Sequence, residues 1–324
     1  MDVCEWSYRI SPNPEFAICV VLNRLSWSLR YNDVQNIFGR HASYISLVFI
    51  DAITYLAKRF RAFLRWDRHR LTLNKLRDYS HHIANSGAGD CVWGFVDGTI
   101  QKICRPTEDQ RLCYSGHKRI HGFKFQSIVT PDGLISSMSG PIIGSRGDWI
   151  LWRQSNIEEE LRRIFEEEGV SEESQLFLYG DPAYGNSYAT MSAFRRPPGG
   201  QLSEEQEHFN KAMSRRRISV EHAFGLVKQT WGKHYLSITS RMGSSPVAAI
   251  YLVSVLLTNI KTCVRGRNQI ADRFRCRPPT VREYLTGAES IHELDDGWDE
   301  LGQLLDDLDS EVFSAHSDSE MEVL

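Results

Sequence analysis

The chain lacks four things: a long apolar run, a basic segment leading into an apolar one at its start, paired cysteines, and internal repeats. Each absence excludes something. The longest mostly apolar run, Val247 to Ile260, is 14 residues. That falls short of the roughly 20 a bilayer span needs and reads as a buried helix, so no membrane association is expected. No secretory leader is expected either. The seven cysteines are odd in number and no pair has CxxC spacing. This argues against a disulfide framework and a structural zinc site, and favours a reducing compartment. One absence is local: from Ala288 to Leu324 there are 13 acidic residues and no Lys or Arg. The net charge of -3 therefore hides a body, residues 1–287, with 38 basic against 28 acidic side chains. A cationic body favours polyanions such as nucleic acid, though mildly basic domains with acidic tails are also common.

What is present divides the chain into three. Residues 1–88 read as helical. Phe16 to Leu29 is largely apolar with helical spacing, Tyr31 to Phe38 gives a short helix broken at Gly39, and a further helix is expected over Ser43 to Phe60 with Ser43 as its cap. Helix, Gly turn, helix is the outline of a helix-turn-helix, and equally of any helical hairpin. Lys58 to Arg77 is strongly basic with Phe60, Phe63 and Trp66 interleaved. It suits either a phosphate-tracking stretch or a solvated helix with core aromatics.

Residues 89–287 change period. Val92 to Val96 is a compact apolar strand ending at Asp97-Gly98. Ile120 to Thr130 and Leu134 to Met138 flank Pro131-Asp132-Gly133, a hairpin pattern. A helix is expected over Trp149 to Glu168, a buried strand over Leu176 to Tyr179, and two helices, Ser203–Arg216 and Ile218–Trp231, on either side of a short break. Pro197 to Gly200 reads as a surface loop. Strands, helix, strand, helices make an α/β core with a mixed sheet. Residues 288–324 read as an acidic tail, disordered over Asp295 to Leu324.

Three acids stand out within this pattern. Asp97 and Asp181 each follow an apolar strand and sit beside a glycine, at the sheet edge where α/β sites are built. Glu221 lies beside the stripe Val220, Phe224, Val227 and Trp231, so it leans from a helix over that edge. Gly225 and Lys228 continue the Glu221 face, which leaves room for a close approach and a cation for phosphate. Three converging carboxylates repel one another unless a hard divalent cation joins them. Two such ions activate a water and stabilise the leaving oxygen at a phosphodiester.

The segments Gly94-Phe95-Val96-Asp97-Gly98-Thr99, Tyr179-Gly180-Asp181-Pro182-Ala183-Tyr184 and Ile218-Ser219-Val220-Glu221-His222-Ala223-Phe224-Gly225-Leu226-Val227-Lys228 resemble, in this order, the PIF/Harbinger transposases and the nuclease derived from them. Phe209 to Arg215 and Gly144 to Asp148 are also similar to family segments. The resemblance covers roughly 90–235 and implies an RNase H-like DDE core. It implies Asp97, Asp181 and Glu221 as catalytic metal ligands, Mg²⁺ or Mn²⁺ as the metal, most simply two ions, and hydrolysis of DNA strands. Asp148 lacks the family's preceding His and is a secondary candidate, with Lys228, Lys118 and Arg119 as phosphate contacts. The 39 residues between Asp181 and Glu221 exceed the family's usual gap, and the Pro-Pro-Gly-Gly loop absorbs the excess. Family members often work with a Myb-like DNA-binding partner. Such a partner, self-association and nuclear residence are expectations here, and Arg215-Arg216-Arg217 reads either as phosphate contacts or as an import patch.

Two rivals remain in view. Asp97-Gly98-Thr99 and Gly180-Asp181 superficially fit a haloacid-dehalogenase-like phosphatase, but position 95, where its nucleophilic Asp belongs, is Phe. The other rival is a domesticated transposase that kept the fold, lost catalysis and acts by binding DNA or protein.

Overall fold

Local sequence signals set the helices that surround the core. The computed structural model describes Trp6 and residues 10–290, apart from 28–29, 88, 109, 198, 236–239 and 241–244. Of the acidic tail expected over residues 288–324, residues 288–290 end the last described helix and the rest lies outside the described residues. Helix α1, Pro14–Ser26, starts where Asn13 accepts the Glu15 amide, with Pro at its first position. Helix α2, Tyr31–Phe38, ends at Gly39 in the left-handed region. Helix α3, Ala42–Arg65, is capped by His41, whose ring accepts the Ser43 amide, rather than by Ser43 itself. It also runs five residues past the expected Phe60, because Phe63 and Leu64 are buried. Helix α4, Leu73–Asn85, occupies what read as the end of a basic stretch, and buries Leu73, Leu76, Tyr79 and Ile83.

The sheet follows. Strand β1, Val92–Lys102, is twice the expected length. After the short helix α5, Gln110–Cys113, come β2, Tyr114–Ser115, and β3, Ile120–Val129. Strand β4, Ile135–Ile143, closes the expected hairpin. The single helix expected over Trp149–Glu168 is two, α6 (Asp148–Gln154) and α7 (Ile157–Glu167), because Asn156 adopts the left-handed conformation that Asn tolerates and breaks the run. Strands β5, Phe177–Tyr179, and β6, Thr190–Met191, complete the sheet.

The sheet has six strands in the order β2-β3-β1-β5-β6, with β4 also on β3. β1 pairs antiparallel with β3 and parallel with β5. This mixed sheet flanked by helices is the RNase H-like architecture. Pairing explains the length of β1. Residues 98–102 stay extended because β3 continues to pair with them, from Gly98↔Gln126 to Lys102↔Gly122. Asp97 is therefore inside a strand, not at its end.

The two helices expected over Ser203–Trp231 are one, α8, Glu204–Thr230. A capping box between Ser203 and Gln206 starts it. Nothing at Arg215-Arg216-Arg217 stops it, since arginine is a good helix former. Helix α9, Val247–Arg265, extends five residues past Ile260 and is long and apolar enough by composition to cross a bilayer. It is spent inside the protein instead, against α3, α8 and β4. Its Asn259 side chain accepts the Ile135 amide and donates to the Ile135 carbonyl, completing the edge of β4 as a strand would. Helices α10, Gln269–Phe274, and α11, Val281–Ser290, finish the described chain.

One hydrophobic cluster runs from α1 and α3 through β1 to α8 and α9. A buried polar network ties α4 to the hairpin. Asp132 accepts from Thr130 Oγ1 at 2.5 Å, the Leu134 amide at 3.2 Å and Tyr79 Oη at 2.5 Å, with Arg70 3.4 Å away. Each partner satisfies an oxygen that burial would otherwise leave unpaired.

Candidate active site

Strand pairing places the first acid. On one side of β1, β3 continues past Asp97, with Asp97 opposite Ser127. On the other side the parallel pairing with β5 stops at Phe95↔Tyr179. Asp97 is thus two residues beyond the last rung shared with β5, where the neighbouring strand has ended and leaves a gap. Its Oδ1 accepts the Gly98 amide at 2.9 Å, and its side chain is 19% exposed.

The second acid follows the end of β5. Gly180 permits this approach, because a Cβ there would lie 3.0 Å from Val96 Cγ1 and 3.1 Å from Tyr184. Asp181 Oδ1 accepts the Ala183 amide at 2.9 Å, which holds its carboxylate at the start of the turn. The third acid comes from α8. Glu221 is 58% exposed, and Arg217, one turn earlier, faces the same side.

Arg217 joins the first and third acids. Its Nη1 donates to Asp97 Oδ2 at 3.0 Å and its Nη2 lies 3.8 Å from Glu221 Oε1. Burial pushes the Asp97 carboxyl above the usual carboxylate range. Arg217 and the Gly98 amide pull it back, and the charges of Asp181 and Glu221 raise it further. The three expected acids therefore share one electrostatic neighbourhood. They are not tightly closed: among the described residues, the group whose ligand atoms all lie within 4.8 Å of one another is Asp78, His82 and Cys276.

Tyr184 packs under the acids. It is 1% exposed, its ring meets Trp152 edge-on, and its hydroxyl has no hydrogen-bond partner among the described atoms. Burial raises its pKa well above the ordinary value, and the charges of Asp148, Asp97 and Asp181 raise it further. Asp148, at the start of α6, lies beside Gly98, where a Cβ would meet its Cγ at 3.2 Å. Lys124 Nζ donates to Asp148 Oδ1 at 3.0 Å, so this acid has its own counter-charge.

The basic candidates separate. Lys118 and Arg119 are exposed in the turn before β3. Burial lowers the pKa of the Lys228 ammonium, and the nearby charge of Lys118 lowers it further. Arg216 Nε donates to Ser86 Oγ at 2.7 Å, whereas Arg217 turns to the acids. The three arginines, pooled when read as a sequence, thus do different work. The signal for Arg217 was its i,i+4 spacing to Glu221 on one helix. Tyr184 sits three residues after Asp181 within a quoted motif, but an aromatic there also fits a plain core residue.

The donors suit a hard divalent cation. They are carboxylate oxygens, one of them held above its normal pKa by burial and by the two neighbouring acids, next to a buried hydroxyl that lacks a partner. Neither a curated protein nor a solved structure matches the chain. The model of the DDE superfamily endonuclease family matches residues 96–259, half of the sequence, and this stretch takes in Asp97, Asp181 and Glu221. The chain belongs to the DDE superfamily endonuclease family.

Proposed function

We propose that this protein is a metal-dependent endonuclease of the PIF/Harbinger type that hydrolyses phosphodiester bonds in DNA. The observation that carries the reading is the shared neighbourhood of the acids: Arg217 contacts both Asp97 and Glu221, and the Asp97 carboxyl responds to the charges of Asp181 and Glu221. Asp97, Asp181 and Glu221 hold Mg²⁺ or Mn²⁺. The bound cations supply Lewis-acid stabilisation of the phosphoryl oxygens and a more acidic water.

The chain's own residues do the rest. Asp97, fixed by the Gly98 amide inside a paired strand, is the rigid ligand. Asp181 is positioned by the Ala183 amide. Glu221 is the exposed arm, and moves with its helix. With Arg217 the three carboxylates carry a local charge of -2, which balances one divalent ion, and a phosphodiester of DNA brings one further negative charge toward a second. Lys228 and Lys118 repel each other in the free protein, and a phosphate between them relieves that repulsion. Nuclear residence and a Myb-like partner for site choice belong to the same reading.

The test is nicking of supercoiled DNA with Mg²⁺ or Mn²⁺ by wild type, Asp97→Asn and Glu221→Gln. Cleavage by wild type alone supports the proposal. Equal traces for all three overturn it and leave a DNA-binding protein without catalysis.

A further inference from the structure

Helix α4 meets the chain leaving α10 far along the sequence but close in space. Asp78 and His82 stand at i,i+4 on α4, so they share a face. Arg275, in the left-handed conformation, turns the chain after α10, and the Cys276 amide donates back to the Ala271 carbonyl at 3.0 Å. This turn brings the thiol of Cys276 to the Asp78–His82 face.

The two α4 side chains each have one polar atom held and one turned toward the third ligand. His82 Nδ1 lies 3.2 Å from the Phe274 carbonyl. That contact is a hydrogen bond only if Nδ1 carries the proton, which leaves the lone pair on Nε2. Lys75 takes Asp78 Oδ2 at 2.7 Å, while Asp78 Oδ1 lies 3.7 Å from His82 Nε2. One ligand atom from each of Asp78, His82 and Cys276 lies within 4.8 Å of the other two. Bonds of about 2.0–2.3 Å in a tetrahedral site put ligand atoms roughly 3.3–3.8 Å apart, so small side-chain shifts close the gap.

We propose that Asp78, His82 and Cys276 form a zinc site with water in the fourth position, clasping α4 to the segment after α10. The donor set decides the metal. A thiolate and an imidazole select zinc over Mg²⁺, whereas the acids of the nuclease site offer only hard oxygen. A backbone carbonyl that orients a ligating histidine is the usual support of such a site. Cys276 is buried and Asp78 is 46% exposed, so an ion has a route in and a face open to water. Cys276 also lines an open cleft with Ala271, Asp272 and Arg275. Zinc takes cysteine as the thiolate, so its binding at Cys276 displaces the thiol proton. The site escapes a search for CxxC spacing because its ligands come from positions 78, 82 and 276.

The probe is Co²⁺ added to the full chain after chelator treatment. Wild type should develop a thiolate-to-cobalt charge-transfer band that saturates at one equivalent and is erased by Zn²⁺. Cys276→Ser and His82→Ala should lose the band. His81→Ala, at the exposed neighbour, and Asp97→Asn should keep it, which separates this site from the nuclease acids. Absence of the band in wild type, or its survival in Cys276→Ser, overturns the proposal. If Cys276→Ser fails to fold, Asp78→Asn at a half-exposed position decides: at least about tenfold weaker Co²⁺ binding supports the site, and unchanged binding overturns it.

Discussion

Asp97→Asn tests whether the acids are held in readiness for a cation. In the free protein the Asp97 carboxyl is pushed above its ordinary value of 3.8, by burial first and then by Asp181 and Glu221, despite the Arg217 contact. The folded state therefore binds a proton more readily than the unfolded state. Stability falls as pH rises through the interval above 3.8, and the ionised carboxylate is a net cost at neutral pH. The variant, isosteric and uncharged, escapes that cost and still accepts the Gly98 amide. Without metal it should melt no lower than wild type at pH 7 and lose any advantage in acid. With Mn²⁺ at a hundred times its Kd the order reverses. A ligand at that concentration stabilises the folded state by about 2.7 kcal/mol. For a chain of this size that is a rise of about 5 °C in Tm, at ~2 °C per kcal/mol. Wild type should gain this and Asp97→Asn almost none. Glu221→Gln should fall between them, because Glu221 is 58% exposed against 19% for Asp97 and water screens it more. Scanning calorimetry at several pH values, with and without Mn²⁺, reads all of this. The reasoning fails if the variant is less stable than wild type without metal and gains as much from Mn²⁺.

Arg217→Gln removes the guanidinium 3.0 Å from Asp97 and 3.8 Å from Glu221. It should tighten Mn²⁺ binding in the absence of DNA by about tenfold, or ~1.4 kcal/mol, by titration calorimetry. Lys118→Ala and Lys228→Ala should each reduce the slope of log binding constant against log salt by roughly 0.9 if each contacts one phosphate, as filter binding across salt concentrations reads. Asp132→Ala leaves buried Arg70 with Asp67 as its remaining carboxylate and breaks the bonds to Thr130, Tyr79 and Leu134. With buried donors left unpaired at about 1–3 kcal/mol each, it should cost at least about 3 kcal/mol in urea unfolding while leaving the Mn²⁺ stoichiometry of the folded protein unchanged.

Much of the sheet was legible because its signals are local. The Pro131-Asp132-Gly133 turn and the apolar run Phe177-Leu178-Tyr179 declare themselves by composition. The placement of Glu221 followed from the stripe Val220, Phe224, Val227 and Trp231, of which all four are buried. What stayed hidden depends on partners distant in sequence. The extension of β1 past Asp97 needs β3, and no property of Gly98 to Lys102 announces it. Helix α4 carries apolar residues at helical spacing, but its basic neighbours drew the reading toward a charged stretch. The continuity of α8 was obscured by three consecutive arginines whose separate partners, Arg273 for the Arg215 carbonyl, Ser86 for Arg216 and Asp97 for Arg217, appear only in the fold. The neutralising bond of Lys124 to Asp148 is likewise visible only once β3 and α6 are side by side.

The single helix α8 makes the nuclease site mechanically simple. Its 27 residues form a rod of about 40 Å that carries Arg217, Glu221 and Lys228 together. The rod is fastened near its middle by Arg216 to Ser86, and just beyond its end by Trp231, whose ring nitrogen donates to the Ser254 carbonyl and Thr258. Glu221, its neighbouring guanidinium Arg217 and Lys228 therefore cannot move independently. The gap between Asp97 and Glu221 is set by where this one rod sits on the sheet, and the Trp231 fastening helps to fix that seat from a distance. Trimming this indole should blur the spacing of the acids without altering any of them.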